Sequence, residues 1–148
     1  MSVTLQVFFE RIRLPTVFAW QKAIEAAGFD IKLDQGVNLE THSGFWPARV
    51  AGRDAGFEYY IEAVGGKAQI GLEGLQRDTM VTLRTHGGHD EDYVAATCCA
   101  VALTQVSNGL YRDPQEGDSL LLPGPVLAIG ASLWSRYNQV TGRLRRRQ

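Results

Sequence analysis

A chain of 148 residues, of which 45% are apolar and 21% charged, has the size and composition of one globular domain. A chain of this length buries enough surface to fold without disulfides or metals, and its composition excludes default disorder. The formal charge is −1, but four of the arginines lie near the C-terminus, so the rest of the chain is acidic. A nucleic-acid binder would usually have a broad basic face instead. We therefore expect a single domain over residues 1–142 and a basic, solvated, frayed tail over 143–148.

Alternating apolar and polar residues predict strands, and apolar residues three or four positions apart predict helices. Thr16 is a suitable N-cap for the first helix, and Gly28 suits the C′ position after its end. The elements expected in the first half are a strand over 2–10, a helix over 16–27, a short strand over 30–33, a polar connection over 35–44, and a hairpin of strands 45–51 and 56–64 joined by the link 52–56.

The central element of the second half is a helix over 90–108 that is apolar around most of its circumference, which is typical of a helix buried on several sides. Residues 68–72 are ambiguous. The other elements expected are strands over 79–85 and 110–112 and a last helix from Val126 to about Val140. This order predicts an α+β fold, in which a largely antiparallel sheet packs against the buried central helix and the N- and C-terminal helices.

The two cysteines, Cys98 and Cys99, are adjacent within the predicted central helix. Neighbouring side chains on a helix point about 100° apart, so a disulfide between them would distort the backbone. We interpret them as reduced core residues rather than nucleophiles, which fits a reducing compartment. No segment has the pattern of a signal peptide or of a membrane span, so a cytoplasmic protein without membrane contact is expected.

His86-Gly-Gly-His89 and the acidic residues after it form the strongest metal-binding pattern. Two histidines three residues apart, with Glu91 as a third ligand, could hold a divalent cation. His42 is remote in sequence. Because the glycines are flexible and the acids suit the positive end of the predicted helix, a loop-and-cap role is favoured. We predict no bound metal and no cofactor, and a small metal-dependent enzyme or metal-binding domain is the alternative.

Glu58 and Glu62 suggest a pair of catalytic carboxylates. On a strand their Cα atoms would lie about 13 Å apart, beyond the roughly 5 to 9.5 Å that glycosidase carboxyl pairs need. Tyr60 between them makes an aromatic and acidic surface, which is common in recognition sites. The sequence has no nucleophile elbow and no phosphate loop. It therefore favours binding over catalysis, at Glu58, Tyr60 and Glu62, with a second acidic patch at Asp90, Glu91 and Asp92.

Three stretches occur in a recognisable combination: Leu14-Pro15-Thr16 leading to Trp20 and residues 26–29; Ser43-Gly44-Phe45 leading to residues 56–60; and residues 108–117. Together they resemble small cytosolic bacterial immunity proteins, the partners of secreted antibacterial toxins. The resemblance implies tight, stoichiometric binding to a cognate toxin and no enzymatic activity. Proteins of this kind usually end in a polar, Glu-rich helix, whereas this chain has Gly130, Ser132 and the cluster of arginines there. A homodimeric adaptor, paired through the hairpin edge or the last helix, is a further alternative.

Overall fold

The computed structural model describes residues 2–64 and 77–147, with the backbone alone for 143–147. Within these residues the strands are β1 Ser2–Phe9, β2 Ile31–Leu33, β3 Gly44–Val50, β4 Arg53–Ala63, β5 Thr79–His86 and β6 Leu110–Arg112. The helices are α1 Val17–Ala26, α2 Asp90–Ser107 and α3 Pro123–Arg147, with a 3-10 turn at Arg11–Arg13. The strands form one antiparallel sheet in the order β2-β3-β4-β5-β1-β6, which confirms the predicted α+β fold. The ambiguous residues 68–72 lie outside the described residues.

Helix α2 lies at the centre of the molecule, as its sequence predicts. It packs against β1, β3, β4, β5 and β6 on one side and against α1 and α3 on the others. All residues from Val94 to Thr104 are buried. The contact with α3 is close, because a methyl group on Gly130 would lie 2.9 Å from both Val101 Cγ1 and Phe29 Cζ. The lack of a side chain at Gly130 lets the two helices approach.

Helix α1 has the ends that its sequence predicts. Thr16 Oγ1 accepts a hydrogen bond from Ala19 N at 3.0 Å, which satisfies one of the free N–H groups of the first turn. Gly28 adopts a φ of 87°, and Phe29 N donates to Ile24 O at 3.2 Å, as in a Schellman ending. The chain therefore leaves α1 in a fixed direction and enters β2.

An aromatic cluster fills the space between α1, α2 and the sheet. Trp20 and Trp46 meet edge to face with their ring centroids 5.3 Å apart, and Tyr59 lies 5.1 Å from Trp46. All three are fully buried. Trp20 Nε1 donates to Cys99 O at 2.9 Å, and Tyr59 Oη donates to Leu39 O at 2.7 Å. These buried polar atoms are thus bonded to the backbone, which fixes the rings in place.

The turn of the β3–β4 hairpin differs from the prediction. Val50 pairs with Arg53, so the loop is the two residues Ala51 and Gly52 rather than the predicted link 52–56. Both loop residues have positive φ, 50° and 80°, as a type I′ turn requires. Gly56 consequently lies inside β4, where the ring of Phe45 on β3 covers it. Asp54 and Gly56, which suggested a longer loop, lie instead in the first half of β4.

Helix α3 extends past the predicted helix at both ends. It begins at Pro123 rather than Val126, because prolines are tolerated in a first turn whose N–H groups have no helical partner. It continues to Arg147, so the backbone of 143–147 continues this helix. In the part of the chain that the structure describes, no helix combines the length and apolarity needed to cross a bilayer.

The edges of the sheet are β2 and β6, and each is bonded to the chain's own groups. Gln21 on α1 donates to Ile31 O and accepts from Leu33 N, both at 2.8 Å. On the other edge Tyr111 and Leu121 exchange backbone hydrogen bonds of 3.0 and 2.8 Å. Strand β4 lies inside the sheet, between β3 and β5. Strand β2 covers β3 of the hairpin at residues 48–50.

Candidate functional site

The face of the sheet opposite α2 carries the predicted binding patch. Along β4, Phe57 and Tyr59 point to the core and are buried, while Glu58 and Tyr60 are partly exposed on the other face. This alternation confirms the predicted assignment of faces. Glu62 lies one row further along β4 and is exposed. Glu58 and Tyr60 are thus brought together by the strand, and Glu62 stands apart from them.

Glu58 is the centre of a polar group that spans two strands. It pairs across the sheet with Arg84 on β5. Tyr60 Oη donates a hydrogen bond to Glu58 Oε1, and His86 Nε2 lies against Glu58 Oε2. Glu58, Tyr60, Arg84 and His86 are called the Glu58 cluster below. Its members come from alternate positions of β4 and β5, so the sheet itself places them.

The electrostatics of the Glu58 cluster favour an ionised carboxylate. The hydrogen bond from Tyr60 lowers the pKa of Glu58 below its usual value, and the bond and charge of His86 and the charge of Arg84 add to this. The same hydrogen bond raises the pKa of Tyr60. The His86 side chain is 71% exposed, whereas that of Glu58 is 23% exposed. The carboxylate is therefore a fixed acceptor, and the imidazole faces solvent.

Phe45 lies directly beside the Glu58 cluster, since it pairs with Glu58 on the other side of β4. Its side chain is 60% exposed. It borders a depression of about 530 Å³ that crosses β2, β3 and β4. In this depression Arg49 and Asp54 form an ion pair with 3.6 Å between Nε and Oδ1. An exposed aromatic ring thus stands between two sets of paired charges.

The second predicted patch, at the start of α2, is largely engaged in internal contacts. Asp92 Oδ1 accepts from Gly56 N at 3.1 Å, which ties the helix start to β4. Glu91 Oε2 accepts from Tyr137 Oη at 2.9 Å, which ties it to α3. Asp90 is exposed. All three lie in the first turn of α2, as predicted, where the helix dipole favours negative charge. The patch is therefore mainly an anchor for α2.

The residues of the metal-binding alternative have other contacts or positions. His86 is paired with Glu58, His89 is the exposed N-cap of α2, and Glu91 is bonded to Tyr137. His42 Nε2 lies 2.8 Å from Phe45 O on another part of the molecule. Over residues 2–64 and 77–147, no three His, Cys, Asp or Glu side chains are arranged to hold a metal ion. These residues do not fit the metal site that the His86/His89/Glu91 alternative requires.

The two cysteines lie in the core, as predicted, and are not bonded to each other. Burial raises the pKa of Cys98 to about 12 and that of Cys99 well above its usual value. The thiolate is the nucleophilic form of cysteine, and burial suppresses it here. The adjacent thiols fill space in α2.

Sequence reasoning missed Phe45, Arg84 and His86 as members of this site. The signal that could have found them is the alternation along β3 and β5, combined with the pairing register. Comparisons with known protein families, with curated proteins and with solved structures found no match. The functional proposal therefore rests on the sequence resemblance described above and on the geometry of this chain.

Proposed function

We propose that this chain is a non-enzymatic, immunity-type binding protein, which neutralises a cognate secreted bacterial toxin by forming a stoichiometric complex. Its binding surface is the exposed part of the sheet face opposite α2, around Phe45, Glu58 and Tyr60, which is called the open face below. The observation that best supports this is the position of Phe45 and Tyr60 next to paired charges, on the face opposite α2. Aromatic rings and arginine are enriched at the energetic centres of protein interfaces.

The Glu58 cluster is suited to recognition because its members hold one another in place before any partner arrives. Tyr60 and His86 both contact the carboxylate of Glu58, so these side chains lose less rotational freedom on binding than independent side chains would. A tyrosine ring also offers a large contact area with only two rotatable side-chain bonds. The surface is therefore partly preorganised.

The exposure of the cluster supports binding rather than catalysis. Catalytic groups act best in sites that exclude water, where their electrostatic interactions are strong. The His86 side chain is 71% exposed, and the cysteine thiols are buried with raised pKa values. An imidazole as open as that of His86 can form hydrogen bonds with a partner but does not enclose a substrate.

The charges on the open face refine the expected electrostatics of binding. Glu58 and Glu62 are acidic, but Arg84 belongs to the same cluster and Arg49 flanks it. The face is therefore mixed in charge and not uniformly acidic. Mixed charges contribute to specificity, because a wrong partner places like charges together or leaves charges unpaired.

The test is a binding titration with the purified products of the genes that neighbour this one. We expect a one-to-one complex with a Kd below micromolar. Replacing Phe45 or Tyr60 by alanine removes a central aromatic contact and should weaken binding by roughly 30-fold or more, the usual effect of an interface hot spot. Isothermal titration calorimetry measures both the stoichiometry and the change.

Phe18→Ala is the matched control. Phe18 is 65% exposed, like Phe45, but it lies on α1 and not on the sheet. Its replacement should leave the Kd unchanged. Absence of a complex at micromolar concentration would overturn the proposed function. A complex that is weakened by Phe18→Ala and unaffected by Phe45→Ala would overturn the proposed surface.

A further inference from the structure

A groove runs along one side of α3, on the helical side of the sheet and away from the open face. Two depressions of about 390 and 610 Å³ form it, and they adjoin at Tyr93 on α2, which lines both. Four residues of α3 line it at the spacing i, i+4, i+7 and i+11, which places them on one stripe of the helix: Ile129, Leu133, Arg136 and Val140. This groove is called the α3 groove below.

The apolar residues of this stripe are only partly covered by the chain itself. Val140 is 56% exposed and Ile129 is 39% exposed, whereas Val126 and Tyr137 of the same helix are buried. Removing exposed apolar side chains from water favours association. Helix α3 thus has one apolar side that packs in the core and a second one that is open to a partner.

The charges of the C-terminal part of the chain are separated along the α3 groove. Residues 113–135 contain three acidic residues and no basic one: Asp113, Glu116 and Asp118. Residues 136–148 contain five arginines and no acidic residue. The turn over residues 113–118, called the acidic turn below, borders the groove at its Ile129 end. The arginines lie toward the other end, in the second half of α3.

These opposite charges cannot meet within one copy of the chain. An α-helix rises about 1.5 Å per residue, so Arg145 lies about 24 Å along α3 from Ile129, beside which the acidic turn lies. The acidic turn forms no ion pair with another described side chain. A second copy in antiparallel orientation brings the arginines of each copy to the acidic turn of the other. The charge pattern therefore complements itself.

We propose that a second copy of this chain docks in the α3 groove, with the two α3 helices antiparallel about a two-fold axis near residue 137. The exposed apolar residues of the two stripes pack together. The arginines of residues 143–147 in each copy pair with the acidic turn of the other copy. Every contact then forms twice, as in an isologous dimer.

The groups near the two-fold axis are also complementary. Arg136 is one residue from the axis, so the dimer brings the Arg136 side chains of the two copies close together. Asp90 lines the same part of the groove and supplies a carboxylate from each copy, which offsets this repulsion.

The dimer leaves the proposed toxin-binding surface free. The open face lies on the side of the sheet opposite α2, whereas α3 packs against α2 and β6. Each copy can therefore bind one toxin molecule, and the expected stoichiometry stays one to one. Failure of the dimer would not affect the test of toxin binding, because the two surfaces are separate.

The first test is sedimentation equilibrium of the intact chain after removal of nucleic acid. We expect a monomer–dimer equilibrium with a Kd of about 100 µM or lower, as for a small interface. Because salt screens exposed ion pairs, the Kd should rise about 10-fold between about 50 and about 500 mM NaCl. A chain that stays monomeric up to about 1 mM would overturn the proposal. A Kd that is independent of salt would overturn the charge pairing.

Val140→Lys tests the stripe. It adds a positive charge next to the axis, at an exposed residue, and should raise the Kd at least about 10-fold without unfolding the chain. Leu127→Lys is the matched control, because Leu127 is also a partly exposed apolar residue of α3 but lies on another side of the helix. It should leave the Kd nearly unchanged. Equal weakening by both variants would show that the stripe is not the interface.

Charge-reversed variants test the antiparallel orientation. The first carries Glu116→Arg with Asp118→Arg, and the second carries Arg143→Glu with Arg147→Glu. Each variant alone places like charges together and should dimerise at least about 10-fold more weakly than the unaltered chain. An equimolar mixture should form a heterodimer, since opposite charges then meet at both ends. If the mixed variants, each folded by circular dichroism, did not associate more tightly than either alone, the antiparallel arrangement would be refuted.

Discussion

The two faces of the sheet use similar aromatic residues in different ways. On the face under α2, Trp46 is fully buried and its Nε1 donates to Asp34 O at 3.1 Å, so a backbone atom fixes the ring. On the open face, Phe45 is 60% exposed, and the Tyr60 hydroxyl is bonded to the side chain of Glu58. The buried rings stabilise the fold, whereas Phe45 is exposed and Tyr60 is bonded to a side chain that a partner could also contact. The comparison separates the residues needed for folding from those available for recognition.

The largest expected effect comes from Trp46→Ala. This change removes a fully buried ring that packs against Trp20 and Tyr59. We expect the free energy of unfolding to fall by about 3–5 kcal/mol, the usual cost of deleting a large core aromatic residue. Urea or thermal unfolding followed by circular dichroism measures it.

Phe45→Ala is the matched change on the open face, at the neighbouring residue. It removes a cross-strand contact over Gly56 and should lower the free energy of unfolding by at most about 1 kcal/mol. Equal losses for the Trp46 and Phe45 variants would contradict the division between the two faces, because they would show that Phe45 is also part of the core.

An effect smaller than that of Trp46→Ala is expected where α3 packs on the helical side of the sheet. In Gly130→Ala the added methyl group would lie 2.9 Å from Val101 Cγ1 and Phe29 Cζ, so the interface between α2 and α3 must shift. We expect a loss of about 1–3 kcal/mol, the usual cost of overpacking a core, even though alanine favours helices. Thermal unfolding reports the change.

Gly142→Ala is the control in the same helix. Among the described residues, no atom outside its chain neighbours and the nearby helix backbone lies within 4 Å of the position that its methyl group would take. Here only helix propensity changes, and the free energy of unfolding should rise by about 0.5–1 kcal/mol. If both variants were stabilised, α3 would not be packed tightly against α2 and the helical side would be looser than the structure shows.

The sequence predicts those parts of the fold that follow from local periodicity. The apolar circumference of α2 indicates its central position, and the alternation along β4 places Glu58 and Tyr60 on the open face. The two-residue turn at Ala51 was missed because its positive φ depends on pairing with β4, whereas the nearby glycines suggested a longer loop. The start of α3 at Pro123 was missed because proline and glycine together are typical of a break before a helix.

The candidate site was less predictable than the fold because it depends on residues far apart in sequence. Glu58 and His86 meet only through the register of β4 with β5. Phe45 lies beside them only through the register of β3 with β4.

The smallest expected effect is a change in the pKa of Glu58. It is tested by matched tyrosine substitutions on the two faces of the sheet. The hydrogen bond from Tyr60 is the largest cause of the lowered pKa of Glu58. Tyr60→Phe should therefore raise this pKa toward the ordinary value of about 4.3, as measured by NMR titration of the side-chain carboxyl carbon. Tyr59→Phe removes the neighbouring hydroxyl on the buried face, where it donates to Leu39 O, and should leave the pKa of Glu58 unchanged.

The lowered pKa also fixes the pH dependence of stability. Because the folded pKa of Glu58 lies below the unfolded one, the stabilisation is fully present above the ordinary glutamate value. It is lost as the pH falls from that value through the folded pKa. The stability difference between the unaltered chain and Glu58→Gln should therefore be greatest near neutral pH and vanish in acid. A difference that persisted unchanged in acid would mean that Glu58 contributes through packing and not through its charge, so its cluster would resemble the buried face more than a recognition surface.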